Sequence, residues 1–72
     1  MRTYTIDKIN KTVIFNFEYD SSLVSAIKNC DYNARWNVEL GHWIVPVNDW
    51  SAVNIKRIIR DYNFKEKLKE EV

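Results

Sequence analysis

The first twenty residues alternate between apolar and polar side chains with the period of two that is typical of β-strands. Two such segments, residues 2–9 and 12–19, flank the short polar pair Asn10 and Lys11. Their apolar positions, which fall on one face, are Tyr4, Ile6, Val13, Phe15 and Phe17. The pattern therefore predicts an antiparallel hairpin with one buried, aromatic-rich face.

Two later segments replace this alternation with the three-to-four-residue spacing of an amphipathic helix. The first begins after Asp20, whose side chain can accept hydrogen bonds from first-turn amides, and ends at Asp31. The second begins after Asn48 and is predicted to extend from Asp49 to Tyr62. The apolar stripe of the first helix comprises Leu23, Val24, Ile27 and Cys30. The apolar stripe of the second comprises Ala52, Ile55, Ile59 and Tyr62, widened by Trp50, Val53 and Ile58.

Between the two helices lie two short strand-like segments, residues 34–37 and 42–46. The turn that joins them contains Gly41, the only glycine of the chain, where we expect a positive φ angle. A hairpin followed by a helix thus occurs twice, although the two halves do not form a sequence repeat. The sequence predicts one α+β domain over residues 1–62, a compact ββαββα module with a small antiparallel sheet packed on two helices. A charged tail over residues 63–72 follows, as a short amphipathic helix or a frayed end.

The composition of this 72-residue chain limits what kind of protein it is. Its hydrophobic fraction of 46% is typical of a globular domain, and its length is sufficient for one. With one cysteine it has no internal disulfide, which fits a reducing compartment. It shows neither a secretory signal nor an apolar run long enough to cross a bilayer. We therefore expect a monomeric cytoplasmic protein without membrane contact, in the host cytoplasm if a phage encodes it.

The groups that catalysis requires are sparse. Cys30 and His42 are the only cysteine and the only histidine, so the chain can offer one thiol–imidazole pair but not a zinc site built from such ligands. Cys30 also falls on the apolar stripe of the first helix, where a buried and inert thiol is the ordinary outcome. A single glycine is too few for a glycine-rich phosphate loop. The sequence predicts a non-catalytic protein without cofactor or metal.

Two groups of residues are candidates for binding. Trp36 and Trp43 flank one turn beside Arg35, where they either fill the interior or offer a platform on which bases stack. The second group is a set of cations on the outward side of the second helix, Lys56, Arg57 and Arg60. These cations are either a solvated face or a set of phosphate contacts. The net charge of only +1 indicates that any nucleic-acid binding is weak.

One stretch of the chain resembles a known family. The residues behind the resemblance are Phe17, Tyr19-Asp20, Leu23-Val24, Ile27-Lys28, Arg35-Trp36-Asn37, Trp43 and Val45-Pro46. In this order they look like the HARP domain, a small module found beside the motors of annealing helicases and of many bacterial and phage helicases. The similarity covers about residues 13–62. It implies a ββαββα module without ATPase activity that helps a helicase recognise branched or forked DNA and couple binding to remodelling.

The leading hypothesis is therefore a helicase accessory module that contacts forked or single-stranded DNA weakly and without sequence specificity. Its predicted phosphate contacts are Lys28, Arg35, Lys56, Arg57 and Arg60, and its stacking or structural aromatics are Tyr19, Trp36 and Trp43. The helicase motor is expected either in the same chain or as a separate protein. The alternative is a protein-interaction module that docks on a helicase or recombination partner without touching DNA.

Overall fold

A computed structural model describes residues 2–67 of the chain, which form a five-stranded sheet covered by two helices. The elements are β1 (Thr3–Asp7), β2 (Thr12–Asn16), α1 (Ser21–Cys30), β3 (Arg35–Asn37), β4 (His42–Pro46), α2 (Asp49–Asp61) and β5 (Lys65–Glu66). The strands lie side by side in the order β3-β4-β2-β1-β5. The predicted α+β class and the ββαββα order of the main elements are confirmed. Neither helix has the length or the apolar character needed to span a bilayer, in the part of the chain described.

Side-chain hydrogen bonds fix where each helix begins. Asp20 accepts hydrogen bonds from two first-turn amides of α1. Asn48 does the same for α2, and the Ser51 hydroxyl completes a capping box by accepting from the Asn48 amide. The Asn48 side chain also donates to the buried Asp31 carboxylate at the end of α1, over 2.9 Å. The predicted caps are therefore confirmed, and the second one also links the two helices.

The C-terminal part of the domain differs from the predicted helical or frayed tail. Residues Lys65–Glu66 form strand β5, which pairs in parallel with β1, so the sheet is mixed rather than purely antiparallel. The physical reason is Phe64, which is buried and packs its ring 5.1 Å from that of Phe15. Burying this ring returns the chain to the sheet, where its backbone finds hydrogen-bond partners. Residues 68–72, the rest of the predicted tail, lie outside the described residues.

An approximate two-fold axis relates the two halves of the sheet. Strand β4 begins thirty residues after β2, and Ile14 of β2 lies directly opposite Ile44 of β4. Both hairpin turns place a positive φ angle immediately before their second strand, 54° at Lys11 and 68° at Gly41, as predicted for the glycine. Among the equivalent positions of the two hairpins, only this isoleucine pair is identical. The chain thus repeats its architecture without repeating its sequence.

The helix-covered face of the sheet contains two rows of side chains of different size, because residues directly opposite each other on paired strands share a face. The aromatic row consists of Tyr4, Phe15, Trp43 and Trp36. The aliphatic row consists of Ile6, Val13 and Val45. The buried helix residues that complete this core include Leu23, Ile27, Ile55 and Ile58. The two-fold axis exchanges the rows, so each half supplies one large and one small residue to the centre of the sheet.

The opposite face of the sheet is covered neither by a helix nor by any other described segment, and we call it the open face. Its polar residues are Thr3, Thr5, Asp7, Thr12, Asn16, Arg35, Asn37 and His42. They surround the central Ile14–Ile44 pair, which is half-buried. Alternation along β3 and β4 therefore places Arg35 and His42 on the side of the sheet away from the helices.

Candidate nucleic-acid interface on the second helix

The outward side of α2 brings three of the predicted phosphate-contacting residues together. Lys56, Arg57 and Arg60 are exposed and, with Val53, surround one shallow depression of about 340 Å³. Their spacing of three and four residues places them on adjacent turns of one helix side. A local cluster of three cations is therefore present on α2, as the spacing in the sequence indicates.

These cations keep most of their charge available to a ligand. The side chains of Lys56 and Arg57 form no hydrogen bond or ion pair with any other residue between positions 2 and 67. Arg60 Nε lies 3.1 Å from an Asp61 carboxylate oxygen, but the two side chains are 76% and 49% exposed. Exposed pairs of this kind contribute about 0–1 kcal/mol and are screened by salt. A phosphate can therefore compete with Asp61 for this guanidinium.

An exposed tryptophan extends the cluster towards the start of α2. The prediction that Trp50 and Val53 widen the buried stripe is wrong, because their side chains are 72% and 59% exposed. Trp50 precedes Arg57 by seven residues, so the two lie on the same helix side, about 10 Å apart along the axis. This spacing is the signal in the sequence that aligns Trp50 with the cations rather than with the buried Ile55.

The surface formed in this way, here called the α2 patch, consists of Trp50, Val53, Lys56, Arg57 and Arg60. Its indole offers a π-face on which a base can stack, and its cations can contact phosphates further along the same strand. The patch runs along three turns of a single helix, so the backbone positions from which its side chains project are fixed relative to one another. It offers an aromatic ring, an aliphatic side chain and three cations, but no thiol, imidazole or carboxylate.

The other two predicted cations lie on different surfaces. Lys28 projects from α1, with its Nζ 5.9 Å from the centre of the Trp43 ring. Arg35 lies on the open face, because its neighbour Trp36 faces the helices. The five predicted cations therefore do not form one continuous positive surface, and only the three on α2 are neighbours.

The three predicted aromatic residues also differ in position. Trp43 is only 9% exposed and belongs to the core, so its role is structural. Trp36 packs against it with ring centroids 5.7 Å apart and is 48% exposed at the edge of the sheet. Tyr19 is largely exposed beside Asp20, the residue that caps α1. None of the three belongs to the α2 patch.

Cys30 and His42 lie on opposite sides of the sheet and do not form a nucleophile–base pair. The Cys30 thiol is buried against the Ser51 carbonyl, and burial, helped by the negative charge of Asp31, raises its pKa to about 11. His42 lies on the open face, where partial burial lowers the pKa of its imidazole. Within residues 2–67, no three His, Cys, Asp or Glu side chains are grouped to hold a metal ion.

No protein-family model matches this chain, and no curated protein or solved structure matches it either. The resemblance to the HARP domain therefore stays a prediction.

Proposed function

We propose that this domain is a non-catalytic accessory module that contacts single-stranded or forked DNA through the α2 patch. The main observation in its favour is the alignment of an exposed indole, Trp50, with three exposed cations on one side of one helix. Proteins that hold single strands without reading their sequence combine these two features, since every base has a π-face and every nucleotide a phosphate. The unpaired arms of a fork offer both.

The three cations of the patch set the strength and the salt dependence of the contact. Each phosphate neutralised on a single strand contributes a slope of about −0.7 to log K against log salt concentration. Three phosphates therefore predict a slope of about −2, or a roughly twentyfold loss of affinity between about 50 and 200 mM salt. So few contacts give weak binding, in the micromolar range or weaker.

Stacking on Trp50 supplies the part of the affinity that salt does not remove. A base that stacks on an aromatic side chain contributes about 1–3 kcal/mol. Because Trp50 lies at the first turn of α2 and the cations lie one to three turns further on, a strand that follows the helix axis reaches both. A duplex, whose bases are already stacked and paired, can use only the cations. The patch is thus expected to prefer unpaired nucleotides.

The partnership with a helicase rests on the resemblance to the HARP domain. A weak binder becomes effective when a larger protein holds it near its ligand, because tethering raises the effective concentration to about the millimolar range. A helicase motor, in the same chain or as a separate protein, would supply that tether. We propose a cytoplasmic location for the pair, because the lone and unpaired Cys30 fits a reducing compartment.

An NMR titration of the protein with oligothymidine and with a forked duplex, at low salt, tests the proposal. We expect amide shifts concentrated on the α2 patch and a loss of most of the affinity in Arg57→Glu. The matched control is Arg35→Glu, because Arg35 is also exposed but lies on the open face. An absence of shifts on α2, or an equal loss in both variants, would exclude the α2 patch as the DNA site.

A further inference from the structure

The two outer edges of the sheet differ in their neighbours. At one edge, β5 pairs in parallel with β1 at Thr3 and Tyr4. At the other edge lies β3, which within residues 2–67 pairs with β4 alone. Strands β1 and β3 occupy equivalent positions in the two halves of the domain. The residues that β5 pairs with, Thr3 and Tyr4, correspond to Asn33 and Ala34, which precede β3, and no segment within residues 2–67 pairs with the outer edge of β3.

Exposed apolar side chains are concentrated along this free edge. Trp36 is half exposed, and Val38 and Leu40 in the following turn are 81% and 67% exposed. Monomeric proteins usually protect an edge strand with charges or cover it, because an unprotected apolar edge pairs with other chains. The combination of free main-chain groups and exposed apolar side chains is typical of a surface to which a peptide adds as a strand.

A positive charge lies on each side of the β3 edge. The side chain of Arg35 projects from the open face and forms no hydrogen bond or ion pair with another described residue. On the helix-covered face, Lys28 lies over the ring of Trp43, which Trp36 contacts. The shallow depression along the edge is lined by Arg35, Trp36, Asn37, Val38, Glu39 and Ile44. Arg35 and Glu39 are the charged residues of this lining, and Lys28 adds a second cation beside it, so the edge carries an excess positive charge that is complementary to an acidic segment.

We propose that β3 binds an extended, acidic and apolar peptide segment of a partner protein as a sixth strand of the sheet. Because side chains of a strand alternate between the two faces, an apolar residue of the peptide packs on Trp36 while its neighbours direct carboxylates towards Arg35. A peptide can also continue past the strand onto Val38 and Leu40. A second copy of the chain is a poorer occupant, since a three-residue strand buries far less than the roughly 1,200 Å² of a stable interface.

The test uses the whole chain and a fluorescent peptide in which glutamate alternates with valine. Binding is followed by fluorescence anisotropy, and the site is located by amide shifts in NMR. We expect saturable binding with shifts on β3, and at least tenfold weaker binding of the same peptide with lysine in place of glutamate. A peptide whose amides facing β3 are N-methylated should not bind, because it cannot form the ladder hydrogen bonds.

Variants of the protein separate this proposal from the one for DNA. The substitution Arg35→Glu changes an exposed residue and leaves the core intact. It should weaken binding of the acidic peptide at least tenfold and leave DNA binding unchanged. Arg57→Glu should weaken DNA binding and leave binding of the acidic peptide unchanged. The proposal is overturned if the N-methylated peptide binds as well as its parent, or if Arg35→Glu has no effect. Sedimentation that shows β3-dependent dimers, undisturbed by the peptide, would also overturn it in favour of a second copy.

Discussion

The first half of this domain, β1 to α1, and the second, β3 to α2, share the order of elements, the turn geometry and the helix caps. Their side chains nevertheless differ at almost every equivalent position. Val13 corresponds to Trp43, and Phe15 corresponds to Val45. Each half thus contributes one large and one small residue to the core. The difference teaches that alternation, turns and caps specify this architecture, whereas side-chain volume only has to balance across the two halves.

The aromatic and aliphatic rows differ in side-chain volume, and this difference leaves the core more completely filled beside α1 than beside α2. Beside α1, Trp36 and Trp43 fill the space next to Lys28. At the equivalent place beside α2, smaller side chains leave an apolar groove of about 260 Å³, and Ile6 is 46% exposed although its alternation predicts burial. Side-chain size at equivalent positions therefore decides whether the surface carries a groove.

The outward faces of the two helices differ in chemistry more than the cores do. The positions of Trp50, Val53 and Arg57 in α2 are taken by Ser22, Ser25 and Asn29 in α1. Helix α1 therefore keeps a cation, Lys28, at the position of Lys56 but lacks the indole of Trp50 and the guanidinium of Arg57. Each pair of equivalent positions offers a matched experiment, and the following predictions use such pairs in order of decreasing effect.

The largest effect is expected at the centre of the aromatic row. Phe15→Ala removes a fully buried ring that packs against Phe64, and we expect the free energy of unfolding to fall by about 3–5 kcal/mol. The equivalent change, Val45→Ala, removes a smaller buried side chain and should cost about 1–3 kcal/mol. Urea unfolding followed by circular dichroism measures both losses. Equal losses would contradict the account of one large and one small residue from each half.

The next largest loss of stability is expected from removing the helix caps. Asn48→Ala removes a cap acceptor together with the donor to the buried Asp31, and we expect a loss of about 2–3 kcal/mol. Asp20→Ala removes the equivalent cap and an exposed contact with Arg2, and should cost about 1 kcal/mol. Thermal unfolding resolves the two, since each kcal/mol lowers the melting temperature by about 4–8 °C. A greater loss in Asp20→Ala would show that the link to Asp31 adds no stability.

Exchanging the helix surfaces tests the site itself. The α2 variant combines Trp50→Ser, Val53→Ser and Arg57→Asn. We expect it to bind oligothymidine at least tenfold more weakly, or about 1.4 kcal/mol, with little change in stability because the residues are exposed. The reciprocal α1 variant combines Ser22→Trp, Ser25→Val and Asn29→Arg. It should bind more tightly than the wild type in anisotropy titrations, and an α2 variant with unchanged affinity would refute the assignment of the patch.

The smallest effect is expected from the thiol of Cys30, which takes the core position in α1 that Ile58 takes in α2. Burial raises the pKa of the Cys30 thiol from 9.0 to about 11, so the native state holds this proton more tightly than the unfolded chain does. The resulting stabilisation is complete below about pH 9 and is lost as the pH rises through about 11. We expect the urea midpoint to fall more steeply above pH 9 in the wild type than in Cys30→Ala, which has no thiol to titrate. Parallel curves of urea midpoint against pH for the two proteins would show that the native state does not hold the thiol proton more tightly than the unfolded chain does.

Much of the local structure could be predicted from the sequence. Both helix starts depend on side chains within three residues of the amides that they cap, and the predicted end of α2 at Tyr62 is one residue from the observed Asp61. The cluster of cations on α2 follows from residue spacing alone. The hydrophobicity of Trp50 predicts a buried position on α2, whereas its seven-residue spacing from Arg57 indicates the exposed side on which it lies.

Alternation, caps and turns act over a few residues, and for that reason they predict the order of the main elements and most core-facing positions, although Ile6, Trp50 and Val53 are exposed. The tertiary structure decided what depends on residues far apart in the chain. Strand β5 joins β1 across some sixty residues, as in the hydrogen bond from the Lys65 amide to the Arg2 carbonyl. The two-fold axis, the free β3 edge and the exposure of Trp36 have the same origin, because each depends on which distant segments lie beside one another.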